Sequence, residues 1–207
     1  MLAIINEAFD WLKDFSSSPW FYLIIFVIAA LDSVLPIVPS ETLVIIGGVS
    51  AGLGNLWIPL VIMVAASGAF IGDNMSYLIG REASDWVIRR QTRTDKGAAR
   101  MAKIVEQVHE RGGLLLITAR FIPGGRTALT LSCGVTKQPR RWFISWAAVA
   151  AVIWGNYAAL LGFIGGKSFE DNHTLAFIIA FVSAFSITLV IELVRWLLKR
   201  ARYRKTA

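Results

Sequence analysis

Two apolar stretches of this 207-residue chain each break at a proline and carry charge at the break. The first reads Leu35-Pro36-Ile37-Val38-Pro39-Ser40-Glu41-Thr42, the second Ala119-Arg120-Phe121-Ile122-Pro123-Gly124-Gly125-Arg126-Thr127. A charged side chain at the centre of a membrane helix costs about 2.5–3.5 kcal/mol on insertion scales. Such a residue is retained when it has a partner or a task, and here an acid at one break is matched by bases at the other. The pattern points to a polytopic membrane protein that holds or moves something charged at mid-membrane.

Composition agrees. Hydrophobic residues make up 56% of the chain and charged residues 17%, where a soluble domain carries about 25% charged residues. The net charge of +7 is unevenly placed. Residues 81–111 hold eight Lys/Arg against five Asp/Glu, Lys137, Arg140 and Arg141 form a second basic group, and Arg195 to Lys205 holds six more with no acid. Basic flanks stay cytoplasmic, so these three segments and the C-terminus belong on one side. A basic tail of this kind marks topology and touches anionic headgroups, and no nucleic-acid partner is expected. The single cysteine, Cys133, excludes an internal disulfide or a Cys-based metal cluster. No basic region, apolar core and small-residue cleavage site open the chain, so no cleaved signal peptide is expected.

The organisation expected is one all-α membrane domain over residues 1–207. Residues 1–18 form an interfacial helix, with Leu2, Ile5, Phe9, Leu12 and Phe15 near one face. Residues 20–80 form a first repeat. Its apolar halves 20–35 and 42–53 are each shorter than the roughly 20 residues needed to cross and read as a re-entrant hairpin, and 57–79 crosses. Within that span Gly68, Gly72, Asp73, Asn74, Ser76 and Tyr77 make a small, polar face suited to close helix contact. Residues 81–112 are a basic, amphipathic cytoplasmic segment. Residues 113–166 form the second repeat, with a hairpin of 113–122 and 127–136 opening toward the cytoplasm and a span from 142. Residues 174–198 are a final span and 199–207 a basic tail. The expected fold is thus an inverted repeat of two opposed re-entrant hairpins plus three transmembrane helices. Val38-Pro39-Ser40-Glu41-Thr42 aligns with Ile122-Pro123-Gly124-Gly125-Arg126-Thr127, and Gly72-Asp73-Asn74 with Gly155-Asn156-Tyr157. Secondary transporters built from inverted repeats place broken helices at a midplane site.

Five ionisable residues lie inside apolar segments: Asp32, Glu41, Asp73, Arg120 and Arg126. Glu41 begins the second half-helix, where the helix dipole favours the carboxylate and burial the neutral acid; such opposed effects suit a group that exchanges a proton. Asp73 is a second proton site. Arg120 and Arg126 offer forked donors suited to phosphate, and the backbone amides of Gly124 and Gly125 add an anion site at a helix start. A simpler reading has Glu41 or Asp73 pair with Arg120 or Arg126 to neutralise the core. The two are compatible if an anionic substrate competes for the arginines while a proton neutralises the acid. Asp32, nearer a segment end, is a secondary candidate, with Asn156 and Tyr157 added by repeat symmetry. His109 and His173 read as surface residues, the Trp residues near span ends as interface anchors. Nothing resembles a nucleophile–base motif or phosphate loop, so neither enzyme chemistry nor a metal or cofactor is expected.

Pro39-Ser40-Glu41, Gly72-Asp73-Asn74-Met75-Ser76-Tyr77-Leu78-Ile79-Gly80-Arg81, Arg120-Phe121-Ile122-Pro123-Gly124-Gly125-Arg126 and Arg140-Arg141-Trp142-Phe143 before Trp154-Gly155 together resemble the DedA family of bacterial membrane proteins. The resemblance covers roughly residues 20–170. It implies a fold shared with eukaryotic VTT-domain lipid scramblases, an inner-membrane location and a part in membrane homeostasis. It also implies return of undecaprenyl phosphate to the cytoplasmic leaflet with protons as coupling ion, and essential roles for Glu41, Asp73, Arg120 and Arg126. The leading expectation is therefore a lipid-phosphate translocase. The alternatives are a proton-coupled transporter of small ions or solutes and a non-transport membrane organiser; assembly as a homo-oligomer is left open.

Overall fold

The computed structural model describes residues 16, 18–35, 40–91, 106, 108, 113–122 and 124–168. The expected interfacial helix, the prolines of both breaks, most of the basic segment, His109, His173, the final span and the tail lie outside them. All regular structure among the described residues is helical: α1 (Trp20–Val34), α2 (Ser40–Gly52), α3 (Ile58–Glu82), α4 (Ser84–Gln91), α5 (Gly125–Val135) and α6 (Arg140–Ser168). Residues 113–118 are also helical and run into a 3-10 turn, Ala119–Phe121.

Element boundaries follow local chemistry. Pro59 sits in the first turn of α3, where its missing N–H costs nothing and its fixed φ favours the helix. Helices α3, of 25 residues, and α6, of 29, are long and apolar enough to cross a membrane, while α1 and α2 are apolar but shorter. Helix α2 begins at Ser40, two residues ahead of the expected apolar run, which places Glu41 in its first turn.

Contacts divide the chain into two compact units. One draws on Met1–Phe21, Glu41–Ile58 and Ala158–Ala207, the other on Tyr22–Ser40 and Pro59–Tyr157. In the first, small residues let α2 and the end of α6 meet at backbone distance: Gly48 abuts the carbonyl of Ala159, and Gly162 that of Ile45. Such small-residue seams are how helices associate in lipid, where no hydrophobic force separates helix from solvent.

In the second unit, the small face expected on α3 is buried, with Gly68, Gly72, Asp73, Ser76 and Tyr77 all inside. Tyr77 belongs to an apolar cluster with Val108, Leu116, Cys133, Phe143 and Ala147. Its ring stacks on Phe143 with centroids 4.4 Å apart. Its hydroxyl donates to the Gln138 carbonyl at 2.6 Å and accepts from Arg81 Nη1 at 2.8 Å. A buried tyrosine needs such partners for its hydroxyl, so Tyr77 serves packing here.

At the polar end of this unit Lys137 Nζ donates to Asp85 Oδ1 at 3.0 Å. That hydrogen bond and the lysine charge, with Arg89 nearby, hold the Asp85 carboxyl below the ordinary carboxylate range. A lowered value means the pair favours the folded form above the ordinary range, an advantage lost as pH falls through the folded-state value. Lys137→Ala is expected to return the Asp85 titration, followed by side-chain carboxyl NMR, to the ordinary value; an unchanged titration would show that the pair is not formed.

Candidate functional site

The second unit gathers four of the five charges singled out in the sequence, and helix packing explains how. Gly72 of α3 faces the Ala30 carbonyl and the Ser33 side chain of α1, and any Cβ there would collide with both. The absent side chain lets α1 and α3 approach closely, so Asp32 and Ser33 come up beside Asp73. Ser76 Oγ fastens the same contact by donating to the Ser33 carbonyl at 2.6 Å. Arg120 arrives on the 3-10 turn and Arg126 in the first turn of α5. Between them Gly124 has φ 68°, a left-handed conformation that glycine adopts at no steric cost and that reverses the chain into α5.

Asp73, 2% exposed, is the hub. Its Oδ2 accepts a hydrogen bond from Arg120 Nη2, and its Oδ1 lies 3.3 Å from Arg126 Nε. The second contact is close in distance but not aligned as a hydrogen bond, since Asp73 Oδ1 has no hydrogen-bond partner among the described residues. Arg126 Nη2 donates to Ser33 Oγ, sits 3.4 Å from the Ala29 carbonyl oxygen and lies 3.4 Å from Asp32 Oδ2. Asp32 in turn accepts from Ser40 Oγ at 2.6 Å, and its side chain is 22% exposed. Two acids and two guanidiniums thus sit together, formally neutral, where isolated charges would be prohibitive.

Neutrality does not satisfy every donor. Guanidinium carries five N–H groups in a planar fork, and Arg120 Nε and Nη1 are buried without a hydrogen-bond partner among the described residues. A buried unmet donor is costly, and on a cation it is an invitation to an anion. Beneath the cluster lies Trp154, 1% exposed, with the guanidinium carbons of Arg120 and Arg126 5.9 and 5.8 Å from its ring centre. Both distances fall within cation–π range.

The remaining sequence candidates are placed as follows. Glu41 is half-buried in the first turn of α2 and belongs to the first unit. Asp32, expected only near a segment end, is instead a member of the cluster. Asn156 donates to the Val152 carbonyl of its own helix at 2.8 Å. Tyr157 is 51% exposed and meets Phe121 edge-on at 5.6 Å. Among the described residues, no hydrogen bond or ion pair joins either to the charges. The expectation of two open glycine amides also needs correction. Gly125 N–H donates to the Ile122 carbonyl at 2.8 Å, so the turn itself consumes that donor.

Three participants escaped the sequence reading: Ser33, Ser40 and Trp154. The serines adjoin Asp32 and Glu41 in sequence, a usable cue once those acids are suspected. Trp154 differed from the interface anchors only in lying mid-span.

Long apolar helices carrying an interior cluster of paired charges define a helical membrane protein with a buried polar site. The VTT domain matches residues 38–164, and the chain belongs to that family, the DedA family of membrane proteins. It is similar to inner membrane protein YohD of Escherichia coli, 28% identical over 80% of this chain and 86% of the relative. It is also similar to protein DedA of the same organism, 26% identical over 89% and 86%. Undecaprenyl phosphate transporter A of Staphylococcus aureus is 28% identical over 88% of this chain and 94% of its own. No solved structure matches the chain.

Proposed function

We propose that this protein is a lipid-phosphate translocase of the bacterial inner membrane, carrying undecaprenyl phosphate toward the cytoplasmic leaflet in exchange for proton movement and so supporting envelope synthesis. The observation that carries the reading is that two nitrogens of buried Arg120, Nε and Nη1, have no hydrogen-bond partner among the described residues. Similarity to a relative named for undecaprenyl phosphate transport supports the choice of lipid.

Moving a phosphate headgroup through hydrocarbon is prevented chiefly by the cost of stripping its water. Arg120 and Arg126 would replace that water with charge-assisted hydrogen bonds, for which phosphate geometry suits the guanidinium fork. As the phosphate takes the arginines, Asp73 loses its counter-charges and takes up a proton; release of the phosphate restores the ion pairs and returns the proton. Glu41, at the positive end of α2, and the partly exposed Asp32 are the further proton-exchanging groups. In this scheme two opposed re-entrant hairpins of an inverted repeat present the site to each leaflet in turn, with three spans, the C-terminus in the cytoplasm and the whole chain acting as one membrane domain.

The test is leaflet-resolved transport of undecaprenyl phosphate by purified protein in proteoliposomes, with and without a pH gradient. Transport that responds to the gradient is expected. Flux of a soluble solute in vesicles free of polyprenyl phosphate, with no lipid movement, would overturn the choice of cargo. The buried Asp73–Arg120 pair itself favours a second reading, in which the charges only hold the fold together. That reading requires Asp73→Arg combined with Arg120→Asp to keep wild-type transport, whereas phosphate binding by Arg120 at this position requires its loss.

A further inference from the structure

The two guanidiniums of the cluster share two partners of different kinds. One is the Asp73 carboxylate, reached by Arg120 Nη2 and Arg126 Nε. The other is the Trp154 indole, with both guanidinium carbons under 6 Å from its centre, at 5.9 and 5.8 Å. The carboxylate can be neutralised by a proton or displaced by a competing anion. The ring cannot: its negative face is a fixed property of the π-system, with no charge to titrate. Its attraction for a cation comes from the π-face and not from a charged acceptor oxygen, so it is a partner of a different chemistry from an incoming phosphate. Two like charges that exchange a shared carboxylate for an anion repel meanwhile, and among the described residues Asp32 is ion-paired only with Arg126, whereas the Trp154 ring faces both.

We propose that Trp154 is a positioning residue, whose indole keeps the Arg120 and Arg126 guanidiniums gathered while an incoming anion takes the place of Asp73. This rests on the translocase reading for the identity of the anion, but not for the arrangement of the three side chains. An indole is the strongest aromatic partner for a cation and phenyl a weaker one, while an aliphatic side chain offers no negative face. The position therefore demands an aromatic ring, not merely apolar bulk.

The test compares wild type, Trp154→Phe and Trp154→Leu in two assays. In nanodiscs containing undecaprenyl phosphate, the Phe variant is expected to bind the lipid within about threefold of wild type and the Leu variant about thirtyfold more weakly, the scale of a desolvated cation–π contact. Equal losses in Phe and Leu variants would overturn the proposal, since filling alone would then explain both. In arginine-labelled protein, ring current from the indole should displace the Arg120 and Arg126 Nε–H resonances, and Trp154→Leu should shift both back; unmoved signals would refute the arrangement. If the wild type binds no lipid phosphate, the translocase reading fails, and the resonance assay alone decides the positioning role. Should the Leu variant not fold, Trp154→Met supplies the same aliphatic comparison.

Discussion

Asp73→Asn is expected to cost the protein about 3–5 kcal/mol of stability, the usual consequence of removing one member of a buried ion pair. The change keeps the shape of the side chain and deletes its charge. Asp73 is buried and faces both Arg120 and Arg126, so its neutralisation leaves Arg120 without an ion-pair partner among the described residues and Arg126 with Asp32 alone. Asp32→Asn is the matched control and should cost much less, because that carboxylate is partly exposed and faces Arg126 alone among the described arginines. Thermal or denaturant unfolding in detergent micelles measures both. Equal losses for the two variants would mean that Asp73 is not the hub of the cluster.

The same logic has a functional side. If anion binding transiently removes Asp73 from its arginines, as proposed, part of the energy of that ion pair is spent at each turnover and recovered on release. Phosphate must then offer the arginines about as much as the carboxylate does. A tightly satisfied cluster would resist such exchange, and in this proposal the Arg120 nitrogens without a partner among the described residues ease it.

Arg126→Lys preserves charge and is nonetheless expected to reduce undecaprenyl phosphate transport by about tenfold or more, because a single ammonium cannot reproduce a planar fork. In the structure Arg126 reaches Asp73 through Nε and Asp32, Ser33 and the Ala29 carbonyl through Nη2. Lysine brings one nitrogen to this junction and must abandon some of these groups, leaving a buried carboxylate poorly met. Initial rates of lipid movement across proteoliposomes give the readout, with melting temperature recorded alongside to separate misfolding from lost recognition. Wild-type rates in the lysine variant would sink the idea that Arg126 recognises phosphate through its fork.

Much of this molecule is written along the chain because helix formation and membrane affinity are local sums. A run of apolar residues declares its own length, and a proline or glycine pair marks its end whatever surrounds it. The helices at Trp20–Val34, Ile58–Glu82 and Arg140–Ser168 therefore fall close to where the apolar runs lie. Interior charge is equally legible, since its cost in hydrocarbon makes Asp32, Asp73, Arg120 and Arg126 conspicuous before any fold is known.

Pairing is a different matter, because it depends on which helix faces approach and at what height. Nothing local marked Asp73 as a counter-ion of the arginines; its place beside them follows from Gly72, whose bare Cα lets α1 and α3 close upon each other and lifts Asp32, Ser33 and Asp73 into one place. The Gly125 amide looked open from its position at a helix start, and only the turn geometry shows it bonded to Ile122. Trp154 carried no local mark of its role, since a ring becomes a partner for two cations only when long-range contacts bring both within reach.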